Sequence, residues 1–309
     1  MRTAKLSLGT TLILSILVHA AGHAAIIDGF ETAFNDRFAN DESFIAAEFD
    51  LSGVAINSQN VLAGRWVTMI SANVFLSSEH FAPTTGSVTF FQTNDSEGPS
   101  LTRGFSNTAQ QIGETDLWIG TLDTPLTEDY NFFEFSTTAL SNQGQFNNWA
   151  FNSANAYFLG KISNEPGAAS PATLNMAVGR NQIDGFQSSF SAAGNTGTAI
   201  EATYNDSSSA NWVEFETVLQ RGDSGAPLFV ESEGNLVLAG IAWYVLGLDE
   251  TDDSVPGDAT GFTYLGNYTS EINAFLDEHS LPAIPEPAHF TVLLAVCAAL
   301  LTIRHRRSR

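Results

Sequence analysis

The chain has 309 residues, of which 43% are hydrophobic and only 15% are charged. This composition supplies enough apolar surface for one or two folded domains and excludes a disordered linker. The formal charge of −22 argues against DNA, RNA and anionic lipid as partners, because an acidic surface repels them. The single cysteine, Cys297, cannot form an intramolecular disulfide or a cysteine-based metal site, and no metal or other cofactor is predicted.

The first 25 residues have the layout of a secretory signal peptide. A basic start is followed by an apolar run over 12–18 and by small residues up to Ala25. Export from the cell and processing by signal peptidase are therefore expected. Cleavage after Ala24 places a small residue at position −3, whereas cleavage after Ala25 places the bulkier His23 there. The sequence leaves both cleavage sites open.

Short segments rich in β-branched and aromatic residues follow, separated by clusters of Asn, Gly, Ser and Asp. This pattern is typical of β-strands joined by turns. A polar stretch over 136–155 divides the strands into two groups and is interpreted as a linker. The pattern indicates two small β-barrels in series, over 26–140 and 141–280, although one β-sandwich fits the composition equally well. Strands are predicted at 66–71, 74–76, 87–92, 117–122, 157–162, 176–179, 212–219, 227–231 and 236–245.

A helix is predicted after the last of these strands. Thr269 or Ser270 is a suitable N-cap, and Glu271 falls in the first turn, where an acid is favoured. Ile272, Phe275 and Leu276 then lie on one face of the helix, so this face is expected to pack on the body of the protein.

The C-terminal segment over 281–309 contains a Pro-Glu-Pro triplet, an uncharged and mostly apolar span over 288–303, and a cluster of arginines. A helix over this span measures about 24 Å, less than the roughly 30 Å of a hydrocarbon core, so a short or transient transmembrane helix is expected. The arginines favour a cytoplasmic C-terminus with the body outside. The three parts resemble the PEP-CTERM sorting signal of Gram-negative bacteria. This resemblance implies processing by an exosortase and transfer to the cell surface or extracellular matrix.

The most specific motif in the chain is Gly-Asp-Ser-Gly-Ala-Pro over 222–227, which leads into an apolar strand. A nucleophilic serine needs a tight turn whose backbone N–H groups point at the developing oxyanion, and glycines permit such a turn. Ser224 is therefore the candidate nucleophile, and the N–H groups of Gly222 and Ser224 are the candidate oxyanion donors. A β-turn that merely exposes a serine is the alternative.

A nucleophilic serine also needs a base, and histidine is the usual one near neutral pH. Outside the leader and the tail, the chain contains only His80 and His279. His279 ends the predicted helix, where the helix dipole favours a cation, and a structural role is expected for it. His80 is the candidate base. Asp116 opens an otherwise apolar strand, where a buried acid needs a partner, and is the candidate that orients the imidazole.

The chain order His80, Asp116, Ser224 resembles that of the trypsin- and chymotrypsin-like serine peptidases. The resemblance implies an all-β fold of two six-stranded antiparallel β-barrels, with the active site between them and a C-terminal helix. It also implies an endopeptidase whose partner is a protein or peptide substrate. The segments that carry the resemblance are 76–80, 116–122, 222–227, 238–242 and 261–264, within a match over roughly 26–279.

The same resemblance assigns a specificity pocket. Val218 stands at the pocket base, where relatives that cleave after Arg or Lys carry an acid, and Leu219 lies beside it. Trp243 and Val245 are assigned to the pocket walls. We therefore expect a preference for apolar side chains.

Two further features follow from the comparison with these peptidases. In many of them a freed N-terminus pairs with the aspartate before the nucleophile, which implies a pair of Ile26 with Asp223. The chain departs from the family at Glu79, an acid directly before His80 where an alanine is expected. Because of Glu79, an inactive surface or matrix binding protein with the same fold is kept as the alternative function.

Overall fold

The computed structural model describes residues 25–57, 64–161, 176–247 and 255–284. Almost all of the predicted signal peptide and the whole predicted apolar span lie outside these residues. Within the described ranges, no helix has the length and apolar character needed to cross a membrane.

Strands are the main regular secondary structure of the described residues, with a helix near the C-terminal end. The helices are α1 (Thr32–Asn35), α2 (Gln143–Asn147) and α3 (Thr269–His279), and short 3-10 turns lie at Arg37–Ala39 and Leu265–Tyr268. The strands are β1 (Ile26–Ile27), β2 (Val54–Ile56), β3 (Trp66–Met69), β4 (Val74–Ser78), β5 (Ser87–Phe91), β6 (Ser100–Gln111), β7 (Leu117–Leu122), β8 (Asn155–Gly160), β9 (Ala177–Gln182), β10 (Gly185–Ala192), β11 (Asn195–Thr203), β12 (Thr217–Val218), β13 (Pro227–Ser232), β14 (Asn235–Leu246) and β15 (Ala259–Tyr264).

The first sheet has six strands in the spatial order β2-β3-β4-β7-β6-β5, and neighbouring strands are antiparallel. Its edge strands β2 and β5 contact each other, so the sheet forms a nearly closed barrel. Val67 and Met69 alternate along β3 and are fully buried, and they pack with Phe75 and Phe90 in one apolar cluster. The period of two in these strands places one face of the sheet in this core.

The second sheet has seven antiparallel strands in the order β10-β11-β15-β14-β13-β8-β9. Its edge strands β9 and β10 are separated along the chain by Ile183 and Asp184 alone. Strands β1 and β12 form a separate two-stranded sheet, in which Ile26 pairs with Val218. The N-terminal strand therefore pairs within the C-terminal half of the chain, not within the predicted N-terminal unit.

One buried apolar cluster joins the two large sheets. It contains Leu76 and Ile119 of the first sheet together with Leu228 and Ile241 of the second, all of them inaccessible to solvent. The connection between the sheets contributes Phe133, whose ring centroid lies 4.5 Å from that of Phe229. Aromatic pairs in this range stabilise a core beyond the effect of their buried area.

The strand predicted over 212–219 is wrong for most of its length, because only Thr217–Val218 is a strand. The fully buried Glu216 explains the difference. Its carboxylate accepts hydrogen bonds from the backbone N–H groups of Asn205 (3.0 Å) and Val213 (2.9 Å), which fold the preceding segment into a loop.

The stretch over 136–155, predicted as a linker, contains α2 and contributes to the core. The Asn142 side chain caps this helix by accepting a hydrogen bond from the Gln145 N–H at 3.0 Å. Phe146 and Trp149 are buried in the apolar cluster that joins the sheets. The polar residues of the stretch form caps and turns next to the buried side chains of Phe146 and Trp149.

Helix α3 lies close to its predicted position, and Ile272 and Phe275 are buried as expected. Its N-cap is Tyr268, whereas Thr269 and Ser270, the two predicted caps, fall inside the helix.

We expect Phe229→Ala to lower the free energy of unfolding by about 3–5 kcal/mol, because Phe229 is fully buried between the sheets and truncation leaves a cavity. The matched control is Phe30→Ala, since Phe30 is 38% exposed and its loss should cost less than about 0.5 kcal/mol. Urea denaturation of both variants measures the difference. Equal effects of the two substitutions would contradict the packing described above.

Candidate active site

The antiparallel pairing of β4 with β7 brings His80 and Asp116 together. In this pairing Ser78 at the end of β4 lies opposite Leu117 at the start of β7. His80 follows β4 by two residues, and Asp116 directly precedes β7. The Glu79 N–H donates to the Asp116 carbonyl oxygen at 3.1 Å, which extends the pairing beyond the strands.

The Asp116 carboxylate holds His80 through both its backbone and its ring. His80 Nδ1 lies 2.8 Å from each carboxylate oxygen, and the His80 backbone N–H donates to Oδ1 at 2.9 Å. Because the carboxylate can only accept, the ring proton resides on Nδ1 and the lone pair of Nε2 points away from Asp116. Burial raises the pKa of Asp116, while the hydrogen bonds from His80 and Asn195 oppose this rise.

The loop over 222–226 places Ser224 on the other side of the imidazole. Ser224 Oγ lies 2.9 Å from His80 Nε2, and the His80 side chain is 25% exposed. Gly225 has a φ of +89°, and a Cβ at this position would lie 2.9 Å from Ser77 Oγ. Its N–H donates to the Ala242 carbonyl oxygen at 2.9 Å. Glycine is therefore required at 225, both for the turn and for the close approach of the loop to β4.

The backbone N–H groups of Gly222 and Ser224 belong to this loop. Gly222 has a φ of +100°, which a residue with a side chain rarely adopts. Within the described residues, neither the Gly222 N–H nor the Ser224 N–H donates to another protein atom. These are the two groups that the sequence indicates as oxyanion donors.

Asp223 lies behind the loop and is completely buried. Its carboxylate accepts hydrogen bonds from the backbone N–H of Lys161, at 2.8 Å, and from the backbone N–H of Ala25. In the full chain the N–H that reaches Asp223 belongs to Ala25, whereas Ile26 pairs with Val218 between β1 and β12. The pair of a freed Ile26 with Asp223 stays a prediction. Cleavage of the signal peptide after Ala24 would place the new α-ammonium group at Asp223.

Lys161 also contributes to this region, although the sequence analysis did not indicate it. Its side chain is buried, and Nζ donates to the carbonyl oxygens of Gly64, at 2.7 Å, and of Gly222. Burial lowers the pKa of Lys161 to about 8 and raises the pKa of Asp223 to about 6, and the attraction between the two opposes both shifts. Lys161 therefore fixes the carbonyl side of the peptide that follows Gly222.

A cavity of about 370 Å³ opens beside His80 and Ser224. Three of the four residues assigned to the specificity pocket line it: Leu219, Trp243 and Val245. Val218, assigned to the pocket base, does not line the cavity. It is fully buried in β12, where it pairs with Ile26 of β1. Tyr244 and Thr260, which were not predicted, also line the cavity.

His279, for which a structural role was expected, lies at the end of α3. Its ring packs on Phe275 with the centroids 4.5 Å apart, and Nε2 lies 3.7 Å from a carboxylate oxygen of Glu278. Among the residues that the structure describes, no three His, Cys, Asp or Glu side chains come together in a way that could hold a metal ion.

Comparison of the sequence with protein-family models gives no match, and comparison with curated proteins gives none either. The interpretation of the site therefore depends on its geometry and chemistry.

We expect a protein that begins at Ala25 to be more stable at pH 7 than one that begins at Ala24. The α-ammonium group of Ala25 replaces a neutral N–H at the Asp223 carboxylate, so a hydrogen bond already made to the carboxylate becomes an ion pair, which is stronger. The ion pair lowers the pKa of Asp223 below its value of about 6 in the full chain. Its contribution is present above pH 6 and is lost as Asp223 takes up a proton at lower pH.

Chemical denaturation of the two proteins at pH 7 and pH 4 measures this difference. In the background of Asp223→Asn, the two N-termini should give equal stability at both pH values. Equal stability at pH 7 with Asp223 intact would contradict the placement of Ala25.

Proposed function

We propose that the protein is a serine endopeptidase that hydrolyses peptide bonds through Ser224, His80 and Asp116. The observation that carries this proposal is the continuous chain of hydrogen bonds from the Asp116 carboxylate through the imidazole to Ser224 Oγ. The carboxylate is buried and the hydroxyl is beside an open cavity. This order of acid, base and hydroxyl is the arrangement that activates a serine for acyl transfer.

In this reaction Ser224 Oγ attacks the carbonyl carbon of the scissile bond and transfers its proton to His80 Nε2. The oxygen of the tetrahedral intermediate accepts hydrogen bonds from the N–H groups of Gly222 and Ser224. His80 then gives the proton to the leaving amine, and an acyl group stays on Ser224. Water, deprotonated by His80, hydrolyses this ester in the second half of the reaction. Asp116 stays ionised and stabilises the imidazolium in each half.

The fold supports this proposal if β9 and β10 are counted as one bent strand. The seven-stranded sheet then becomes a second six-stranded barrel, because this strand pairs with β8 at one end and with β11 at the other. The pairing fits the two-barrel architecture implied by the resemblance to the trypsin- and chymotrypsin-like peptidases. In that arrangement His80 and Asp116 come from one barrel and Ser224 from the other.

The alternative function, an inactive binding protein, was suggested by Glu79. In the structure a Glu79 carboxylate oxygen accepts a hydrogen bond from Asn195 Nδ2 at 3.0 Å, while His80 keeps its hydrogen bonds to Asp116 and Ser224. Glu79 therefore leaves the imidazole in a geometry suited to catalysis, which favours the hydrolase.

The sequence signals at the two ends complete the proposal. We propose export under the signal peptide, transient anchoring through the apolar span over 288–303, and processing by an exosortase at the Pro-Glu-Pro triplet. The active protein then works at the cell surface or in the extracellular matrix.

Replacement of Ser224 by Ala should lower the turnover of an unfolded protein substrate by about 10⁶-fold, because the remaining groups cannot form the acyl intermediate. Ser191, an exposed serine on β10, provides the matched control, and Ser191→Ala should leave turnover unchanged. Release of peptides from casein, followed by mass spectrometry, measures both. Undiminished hydrolysis by the Ser224→Ala protein would refute the proposal.

The cavity predicts a preference for apolar side chains at the residue before the cleaved bond. Its wall contains Leu219, Trp243 and Val245 beside polar residues. Asp223 is the one carboxylate among the lining residues, and its two oxygens already accept backbone N–H groups of Lys161 and Gln220, so a long cation would lack a free partner among them. Digestion of a peptide library should therefore enrich cleavage after apolar residues at least about tenfold over cleavage after Arg or Lys, the ratio expected for a difference near 1.4 kcal/mol. Enrichment of Arg-X cleavage would reverse the assignment.

A further inference from the structure

Asn195, the first residue of β11, reaches across to the buried carboxylate of Asp116. Its Nδ2 lies 2.8 Å from Asp116 Oδ1 and 3.0 Å from Glu79 Oε2. Its Oδ1 accepts a hydrogen bond from Gln111 Nε2 at 2.9 Å. The Asn195 side chain is nearly inaccessible, so water cannot replace these partners.

The three contacts allow only one orientation of the Asn195 amide. Its NH₂ group faces the carboxylates of Asp116 and Glu79, which can only accept, and its oxygen faces the NH₂ group of Gln111, which can only donate. Rotation of the amide by 180° would place its oxygen against both carboxylates. Glu79 and Gln111 therefore hold one N–H bond of Asn195 on Asp116.

This hydrogen bond also connects the two sheets at the site. Asn195 belongs to β11 of the seven-stranded sheet, whereas Asp116 precedes β7 of the six-stranded sheet. A second contact supports the same junction, since the Thr196 N–H donates to the Glu114 carbonyl oxygen at 2.8 Å. The sheet that carries Ser224 is thus linked directly to the acid that orients His80.

We propose that Asn195 is a positioning residue for the reaction, and that Glu79 is the acceptor that fixes its amide. The proposal rests on the proposed peptidase function. Asn195 touches neither Ser224 nor the cavity; it acts by holding the carboxylate in the plane of the imidazole. Glu79 thereby acquires a role in the site although it interrupts the family pattern before His80.

Three variants test this proposal: Asn195→Ala, Asn195→Asp and the control Asn73→Ala. Asn195→Asp keeps the shape of the side chain but replaces the donor by a carboxylate beside Asp116 and Glu79. Asn73 is also buried and makes two hydrogen bonds, to the His279 carbonyl oxygen and from the Leu281 N–H, away from the candidate active site. The control thus reports the effect of losing a buried amide elsewhere.

We expect Asn195→Ala to lower kcat by about 10- to 100-fold with KM changed less than about twofold, because a misplaced imidazole affects the reaction more than binding. Asn195→Asp should be at least as damaging at pH 8, since a carboxylate cannot donate.

The titratable side chains that contact the network are His80 and Glu79. Loss of the donor raises the pKa of Asp116, so the acid limb of kcat/KM should move to higher pH. Asn73→Ala should keep the wild-type kcat and pH profile.

A merely structural role gives a different pattern. Asn195→Asp would then retain more activity than Asn195→Ala. Asn73→Ala would also lose as much kcat as Asn195→Ala when the two variants have the same unfolding temperature. Either result would overturn the proposal.

NMR of protein labelled with ¹⁵N-histidine separates this proposal from the proposed function. The Nδ1 proton of His80, in its hydrogen bond to Asp116, should shift in Asn195→Ala and stay in place in Asn73→Ala. If the wild-type protein hydrolyses peptides but the Asn195 variants match it in kcat and in this shift, only the positioning role fails. If the wild-type protein is inactive, the peptidase function fails, and the NMR comparison still decides whether Asn195 holds Asp116.

Discussion

The buried carboxylate of Asp116 is the constraint on which the candidate site depends. An ionised carboxylate removed from water is costly unless hydrogen-bond donors surround it. Here the donors come from His80, in the same sheet, and from Asn195, in the other sheet. The carboxylate is satisfied only when the two sheets are in contact and the imidazole lies in one orientation. Because the hydrogen bonds to this one buried charge need both the contact between the sheets and the oriented imidazole, the stability of the fold and the geometry of the site depend on each other.

A second buried carboxylate, Asp223, lies on the opposite side of Ser224. Backbone N–H groups of Lys161, Gln220 and Ala25 supply its partners, and the Lys161 side chain also holds the carbonyl oxygen of Gly222. The serine loop is therefore anchored from behind by Asp223 and faces the imidazole in front. Because Ala25 lies at the predicted end of the signal peptide, we expect removal of that peptide after Ala24 to change the charge next to the loop.

The sequence predicts those parts of the molecule whose signals are local. The strand over 117–122 is an apolar run with an acid before it, and its bounds agree with the structure. The hairpin of β10 and β11 was not predicted, because its strands are rich in Ser, Thr, Gly and Ala and lack regular apolar alternation. Its turn residues Ala193 and Gly194 both have positive φ values, as the two central residues of a type I′ hairpin turn require.

The residues that the sequence did not reveal depend on contacts between distant segments. Asn195 follows a turn, and asparagine is a residue type common in loops. The direction of its side chain is set by the register of β11 against its neighbours. Lys161 directly follows β8, and only the packing of the loop that carries Gly222 makes it part of the site. The contact of Ala25 with Asp223 has the same origin, since the pairing of β1 with β12 fixes which N–H reaches Asp223 in the full chain.

The central claim is that an imidazole held by a buried acid activates one serine. Reaction with a fluorophosphonate probe tests it most directly, because the probe bonds only to a serine whose proton a neighbouring base removes. The account predicts a single adduct on Ser224, found by mass spectrometry of the digested protein, and no adduct in His80→Ala. No adduct in the wild-type protein, or an adduct on Ser224 that survives the loss of His80, would contradict it.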